Sequence, residues 1–313
     1  MMQKRNEVFS VKKLIDIKDF IVGSVKRVEL KYWTVVFRVL SLSAMLLLLV
    51  FILDLSSGIK NQNLDLTKIV DFYFLELTDA DSTIIKYQNK TILIDTGLET
   101  DALLIDKKLE NLNISTIDYL ILTHPDKDHI GSSVHLINKY AVSEIYQAAF
   151  EKGSDLEQSL KTAISSKGIK NNVVNVVTDL YIGDLEIKLI PGIYESYNKD
   201  NDYSIVTLIT YYNHKFFMAA DIEEARINEI LKFKIGEVDV LKIPHHGRYN
   251  PSSLNFLNSM NPKYAIVTSK SADKKIVDML HKLNTAAYYT PDGMINIKSD
   301  GNGMNVTRGN VYE

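Results

Sequence analysis

One stretch of this chain is too apolar for any water-soluble domain to leave uncovered. Residues 34 to 53, TVVFRVLSLSAMLLLLVFIL, are 20 positions with a single charge, Arg38, near one end. The long stem of Arg38 lets its head reach water. At the helical rise of 1.5 Å per residue, such a stretch spans roughly 30 Å, the thickness of a bilayer's hydrocarbon core. Nine basic residues (Lys4, Arg5, Lys12, Lys13, Lys18, Lys26, Arg27, Lys31 and Arg38) precede its uninterrupted part, against four acids, and Tyr32 and Trp33 stand at the expected interface. Cytoplasmic flanks carry the excess of Lys and Arg. The pattern therefore predicts a basic cytoplasmic segment over 1–33, a single-pass transmembrane signal-anchor helix over 34–54, and an extracellular remainder held at the cell membrane. A cleavable signal peptide fits less well, because the basic region is long and no A-x-A site follows the apolar run.

Residues 55–67 are polar and short, and they read as a linker. From 68 to 313 the chain changes character. DFYFLEL, STIIKYQ and KTILIDTG are β-rich runs separated by the turn-like TDAD and NK, the pattern of an antiparallel meander. A helix-like ETDALLIDKKLENL and a strand DYLILT follow. The second half repeats this grammar, with strands over VVNVV, LEIKLIP, SIVTLITYY, KFFMAAD, VDVLKIP and YAIVTS and helix-like segments between them. Two runs of strands with helices between and outside them predict an α/β sandwich of two sheets with helical outer layers.

The chemistry concentrates at residues 120 to 131, LILTHPDKDHIG, where two histidines and two aspartates fall within six positions behind an apolar strand. A helix N-terminus capped by Asp126 or Asp128 would explain one acid but neither histidine. With no cysteine in 313 residues, disulfides, thiolate nucleophiles and Cys-ligated zinc are excluded, and any metal must rest on His, Asp and Glu. Three more stretches place such residues where a strand runs out: LIDTG with Asp95, AADIEE with Asp221, and KIPHHG with His245 and His246. Taken singly, each reads as a turn or a cap. Together with His124, Asp126, Asp128 and His129 they read as one site.

THPDKDHIG resembles the H-x-[HD]-x-D-H signature of the metallo-β-lactamase superfamily. With NDYS (201–204), AADIEE and LKIPHHG, the likeness is to the extracellular hydrolase domain of ComEC-type DNA-uptake proteins and their single-anchor relatives. The resemblance implies an αββα sandwich and two divalent metal ions, zinc first because imidazole suits it and manganese as an alternative for a carboxylate-rich set. It assigns His124 and Asp126 to one ion, Asp128 and His129 to the other, Asp221 to a bridge between them and His246 to the last ligand position. It leaves His245 for proton transfer or substrate contact, with Asp128 and His245 as the expected catalytic groups. Asp95 orients the site, or ligates. Where many members carry another histidine, this chain has NDYS, so Asp202 or a water takes that place. TDAD replaces the turn expected after the first strand. His135, His214 and His281 lie outside these motifs and read as structural.

The implied reaction is metal-dependent hydrolysis, with a phosphodiester in DNA or an envelope polymer as substrate. The alternatives are lactone or β-lactam hydrolysis and a non-catalytic, membrane-anchored binding protein. After residue 54 the chain carries 27 basic and 34 acidic side chains, a formal −7. Proteins that grip long nucleic acids through phosphates show a basic surface, so the charge favours a broad phosphodiesterase expectation over a dedicated nuclease.

Overall fold

The computed structural model describes residues 3–60 and 68–309, and the chain divides into two units, residues 1–65 and 66–313. The first unit is one helix, α1 (Gln3–Lys60, 58 residues), which at 1.5 Å per residue is roughly 87 Å long. It continues past positions 33 and 54 without a break, so the basic segment, the apolar stretch and the first residues of the expected linker share one element. The rest of that linker, 61–67, lies outside the described residues. Thr34, Ser41 and Ser43 donate their hydroxyls to carbonyls three residues back at 2.8 to 2.9 Å. The few polar groups of the stretch are thereby satisfied without water. Within Lys18–Val50 an 18-residue window reaches a mean hydropathy of 2.1 with none of it buried, long and apolar enough to cross a membrane.

The second unit is an αββα sandwich. Its first sheet starts with the antiparallel meander β1 (Val70–Phe74), β2 (Thr83–Tyr87) and β3 (Lys90–Ile94). The parallel strands β4 (Thr116–Leu122), β5 (Ala141–Ala148) and β6 (Lys170–Val174) continue it. The second sheet opens with four antiparallel strands, β7 (Thr178–Ile182), β8 (Leu185–Ile190), β9 (Val206–Tyr211) and β10 (His214–Met218). Three parallel strands complete it: β11 (Val240–Lys242), β12 (Tyr264–Val267) and β13 (Ala286–Tyr289). The chain then returns to the first sheet, where β14 (Met294–Ser299) pairs with β1, and β15 (Met304–Gly309) forms the edge. The strand expected over 173–177 is displaced, because β6 ends at Val174 and the exposed Val176 and Val177 belong to the crossing between sheets.

Parallel neighbours need crossovers, and helices supply them. On the first sheet these are α2 (Ala102–Asn111), the short α3 (Lys127–Ile130), α4 (Ser133–Lys139) and α5 (Asp155–Lys167); on the second they are α6 (Glu224–Lys232), α7 (Ser253–Met260) and α8 (Lys274–Lys282). Three apolar layers result. The inner one lies between the sheets, where Phe72 and Phe216 stack at 4.0 Å, and each outer one fills the space under a row of helices. Strand alternation distributes β11 between two of them: Leu241 joins the outer layer while Val240 joins the inner one. Lys242, two residues on from Val240, therefore points between the sheets, at the end of the inner core.

Candidate metal centre

The site lies where several strands end together. Asp95 follows β3, His124 follows β4, Asp221 follows β10, His245 and His246 follow β11, and Thr268 follows β12. In open α/β sheets the carboxyl ends of strands are the usual ligand crevice, because side chains there leave the core without disrupting it. Local backbone strain marks the same positions. Asp95 (φ 59°), Ala220 (φ 51°), His245 (φ 47°) and His246 (φ 54°) all hold left-handed conformations without being glycine. Each costs about 1–3 kcal/mol, a strain that clusters at functional sites. Two glycines close the loops. A Cβ on Gly131 would come within 2.4 Å of Glu99 N and Lys127 O, and one on Gly247 within 2.6 Å of Ala272 Cβ.

Each histidine of the centre has one ring nitrogen tied off and the other turned inward. His129 Nδ1 lies 2.8 Å from Asp95 Oδ2, and the same carboxylate accepts the Thr123 amide and hydroxyl, each at 2.8 Å. With its proton given to Asp95, the Thr123 hydroxyl is left to accept from His124 Nδ1 at 3.1 Å. His246 Nδ1 lies 2.8 Å from the Thr268 hydroxyl. Asp95 and the already committed Thr123 hydroxyl make Nδ1 the donor in His129 and His124, and Asp81 Oδ1, 3.4 Å from His246 Nδ1, does the same for His246. Their Nε2 lone pairs then face the interior, and those of His124 and His129 are buried without a hydrogen-bond partner.

What those lone pairs face is carboxylate. His129 Nε2 lies 3.4 Å from Asp221 Oδ1 and 3.7 Å from Asp128 Oδ2; His246 Nε2 lies 3.1 Å from Asp221 Oδ2 and 3.2 Å from Asp128 Oδ2. Lone pairs set against acceptors repel unless a cation or a proton stands between them. One donor atom from each of Asp128, His129, Asp221 and His246 falls within 4.8 Å of the others, so this oxygen and nitrogen set fits a divalent ion. The local field has the matching sign. Burial opposes charge on these rings, yet Asp221 and Asp95 hold the His129 imidazolium well above the ordinary histidine range, and Asp221 and Asp128 push His246 up to about 10. Burial also opposes charge on Asp221, but Lys242, His129 and His246 keep it far below the usual carboxylate range.

The other expected ligands are placed differently. Asp126 stands at the N-terminus of α3, where its carbonyl accepts the His129 and Ile130 amides, and its carboxylate turns outward to Lys152 Nζ at 2.9 Å. Asp202 Oδ1 accepts the amides of Glu223 at 2.7 Å and Arg226 at 3.3 Å, so it fastens the start of α6. Neither belongs to the four-donor group. His124 Nε2 is buried without a hydrogen-bond partner and lies outside the four-donor group. His245 is at the mouth, its Nε2 4.0 Å from Asp221 Oδ2 and its Nδ1 3.8 Å from Glu223. Burial lowers its pKa, which leaves it neutral at pH 7 and able to take a proton. Outside the site, His135 pairs with Asp106 at 2.7 Å, His214 contacts Ser299 at 2.6 Å, and His281 is exposed on α8.

Two charged groups of the centre were not expected. Asp81, from the divergent TDAD turn, has its backbone bonded to the motif, its amide donating to Asp128 O at 3.0 Å and its carbonyl accepting Gly97 N at 2.8 Å. Lys242 is 3% exposed and reaches both Asp81 and Asp221. A lone lysine in the apolar run VDVLKIP was the available signal.

The metallo-beta-lactamase superfamily model matches residues 76–268, and the chain belongs to that family of hydrolases. ComE operon protein 3 of Bacillus subtilis (strain 168) is 27% identical over 158 residues, 50% of this chain and 20% of that protein. Recombination protein 2 of Haemophilus influenzae (strain ATCC 51907 / DSM 11121 / KW20 / Rd) is 24% identical over 233 residues, 69% of this chain and 27% of that protein. The chain thus spans well under half the length of either relative. Among solved structures, the metallo-beta-lactamase fold protein YhfI from Bacillus subtilis superposes with a TM-score of 0.48 at 11% identity, covering 71% of this chain and 95% of that one.

Proposed function

We propose that this protein is a membrane-anchored, extracellular phosphodiesterase that works with a divalent cation held by Asp128, His129, Asp221 and His246. The observation that carries the reading is the gathering of one donor atom from each of Asp128, His129, Asp221 and His246 within 4.8 Å of one another. That arrangement is assembled to hold a cation, and it has no thiolate or serine nucleophile at its centre. Zinc or manganese suits the donors. Of the two ions implied by the resemblance, the first belongs to this group; the residues left for a second, His124 and Asp126, are not gathered.

When bound, such a cation polarises a phosphoryl oxygen and makes a water acidic enough to attack at neutral pH. The protein's own residues do the rest. Asp95 and Thr123 fix the His129 and His124 rings, and Thr268 fixes His246, so the donors need no reorganisation on loading. His245, neutral and at the mouth, takes the proton released by the attacking water or returns one to the leaving oxygen. Lys152, at the rim beside Asp126 and 3.4 Å from Asp200, provides a cation for a flanking phosphate.

DNA or another phosphodiester polymer fits the likeness to Recombination protein 2, a recombination protein by name, and to the DNA-uptake family. The nine basic residues that precede the uninterrupted apolar stretch support an inside N-terminus and delivery of the hydrolase domain to the outer face. A turnover panel tests the chemistry: bis-p-nitrophenyl phosphate should be hydrolysed in preference to a lactone or nitrocefin, whereas preferred opening of the lactone or nitrocefin would reassign the substrate. Topology is read by protease on intact protoplasts, which should digest the domain while a tag at Met1 survives; a protected domain would reverse the orientation.

A further inference from the structure

A second concave surface adjoins the metal centre. It is a cleft of 620 Å³ between the carboxyl ends of β5 and β6 in the first sheet and the loop 191–205 that joins β8 to β9 in the second. Phe150, Asn175, Ile193, Tyr194, Glu195 and Tyr203 are among the side chains that line it. Both walls run on into the centre. Two residues after Phe150, Lys152 reaches Asp126, and two residues before Tyr203, Asn201 lies 3.5 Å from His245 Nε2. Phe150 also lines a small cavity together with His124 and Pro125.

The loop is fastened from α6 by side chains that do not line the cleft. Arg226, fully buried, donates to the Ile190 and Pro191 carbonyls at 2.7 Å each and pairs with Glu229. Glu229 in turn accepts the Ile193 amide at 3.2 Å and the Tyr197 hydroxyl. A buried ion pair carries a desolvation penalty, and what this one holds in place is a surface loop. The rings are ordered with it. Tyr203 stacks on Phe150 at 4.2 Å with the planes 8° apart, which joins the loop to the end of β5, and Tyr197 meets Tyr203 edge-on at 5.0 Å. Tyr194 follows, 5.6 Å from Tyr197 and half exposed.

We propose that this cleft binds unpaired nucleobases of a single-stranded nucleic acid whose backbone passes the metal centre, so that the phosphodiester substrate is a single strand and neither a duplex nor a base-free polymer. This deepens the phosphodiesterase reading and rests on it for the place of the phosphate. The chemistry of the walls selects the occupant. Aromatic side chains make stacking platforms that accept any base, because every base has a flat π-face. Glu195 and Asn175 offer a carboxylate acceptor and an amide donor, which match the N–H and carbonyl groups of a base edge. The same carboxylate opposes a phosphate in the cleft and gives an acyl chain a charge to bury. The volume falls within the roughly 300–1,000 Å³ of small-ligand sites, so it takes individual bases and is too small for a duplex. After residue 54 acidic side chains outnumber basic ones, which disfavours a grip on long nucleic acid through phosphates alone, whereas stacking needs no net charge. Lys152 stands at the junction of cleft and centre, where the phosphate between a bound base and the metal would pass.

The test uses the full chain in detergent, with EDTA so that no strand is cut, and reads fluorescence anisotropy at one salt concentration. Three probes carry the same label: a short oligodeoxythymidine, that strand paired with oligodeoxyadenosine, and an abasic phosphodiester oligomer of equal length. The wild type should bind the oligodeoxythymidine on the order of 10-fold more tightly than the abasic oligomer, the worth of about one stacked base. Tyr194→Ala, which leaves the Arg226 and Glu229 pair in place, should lose that preference while its affinity for the abasic oligomer and the duplex stays unchanged; Tyr194→Phe, which keeps the ring, should retain it. Equal binding of the oligodeoxythymidine and the abasic oligomer by the wild type overturns the proposal, whatever the variants do. A folded Tyr194→Ala protein that keeps the preference, or weakens on all three probes alike, overturns it too. Hydrolysis of bis-p-nitrophenyl phosphate by the metal-loaded wild type is measured in parallel. Its absence would sink the phosphodiesterase reading and leave the base preference standing, and its presence without a base preference would sink the cleft alone.

Discussion

His124 and Asp126 precede Asp128 and His129 by only two to five residues, yet the two pairs have different fates. Asp128 and His129 meet Asp221 and His246 within 4.8 Å. Asp126 turns to Lys152, and His124 is left with a buried Nε2 that has no hydrogen-bond partner. The difference lies in what each side chain is tied to at its other end. His129 is clamped by Asp95, and the backbone of Asp128 is pinned to Asp81, both held by chain that also forms the strand ends. The Asp126 carboxylate is spent on a salt bridge at the rim. Proximity in sequence puts residues in one place, but the partners behind them decide which become ligands.

Removing Asp221 should break the stronger half outright. Asp221→Ala should lose bound metal and cut hydrolysis of bis-p-nitrophenyl phosphate by more than about 100-fold, beyond the 10–100-fold typical of groups that only support a ligand. A fully active Asp221→Ala protein would refute the site as drawn. His245 separates chemistry from metal binding. His245→Ala should slow turnover on the order of 100-fold, the usual contribution of a proton-transfer group, with metal content kept. If metal is lost and turnover per bound ion is kept, His245 is the ligand and His246 is not.

The weaker half should respond least. Asp126→Asn should leave metal content unchanged, because its carboxylate already serves Lys152. Asp202→Ala should also keep the metal but leave the Glu223 and Arg226 amides without their acceptor. A lost cap of this kind costs about 1 kcal/mol, or about 2–4 °C in melting temperature for a domain of this size. Loss of metal from either variant would move the ligand set towards the second position.

The sandwich was legible because its strands end in recognisable turns and its apolar runs alternate with helix-like ones. Four of the six expected donors, Asp128, His129, Asp221 and His246, are gathered at the strand ends, where the sequence put His and Asp side chains that no core needs. Asp81 and Lys242 were not legible, since a turn acid and a single strand lysine look ordinary until two sheets bring them together. The outward turn of Asp126 depends on Lys152, 26 residues away, and no local pattern reports it. Helix α5 had a readable start, the reciprocal Ser154–Glu157 capping box, but the polar face of the segment masked it. The break expected between anchor and linker was drawn from composition, whereas no proline interrupts 54–60 and α1 runs on to Lys60.

Where the cation sits decides which half of the motif supplies the ligands. Crystals of the metal-loaded protein, with diffraction recorded at the manganese or zinc absorption edge, would show it directly as an anomalous peak. The peak should lie among Asp128, His129, Asp221 and His246, with Lys242 Nζ still on Asp221 and Asp126 still on Lys152. A dominant peak between His124 and Asp126, with those four donors bare, would contradict the account and reverse the roles of the two halves of the motif.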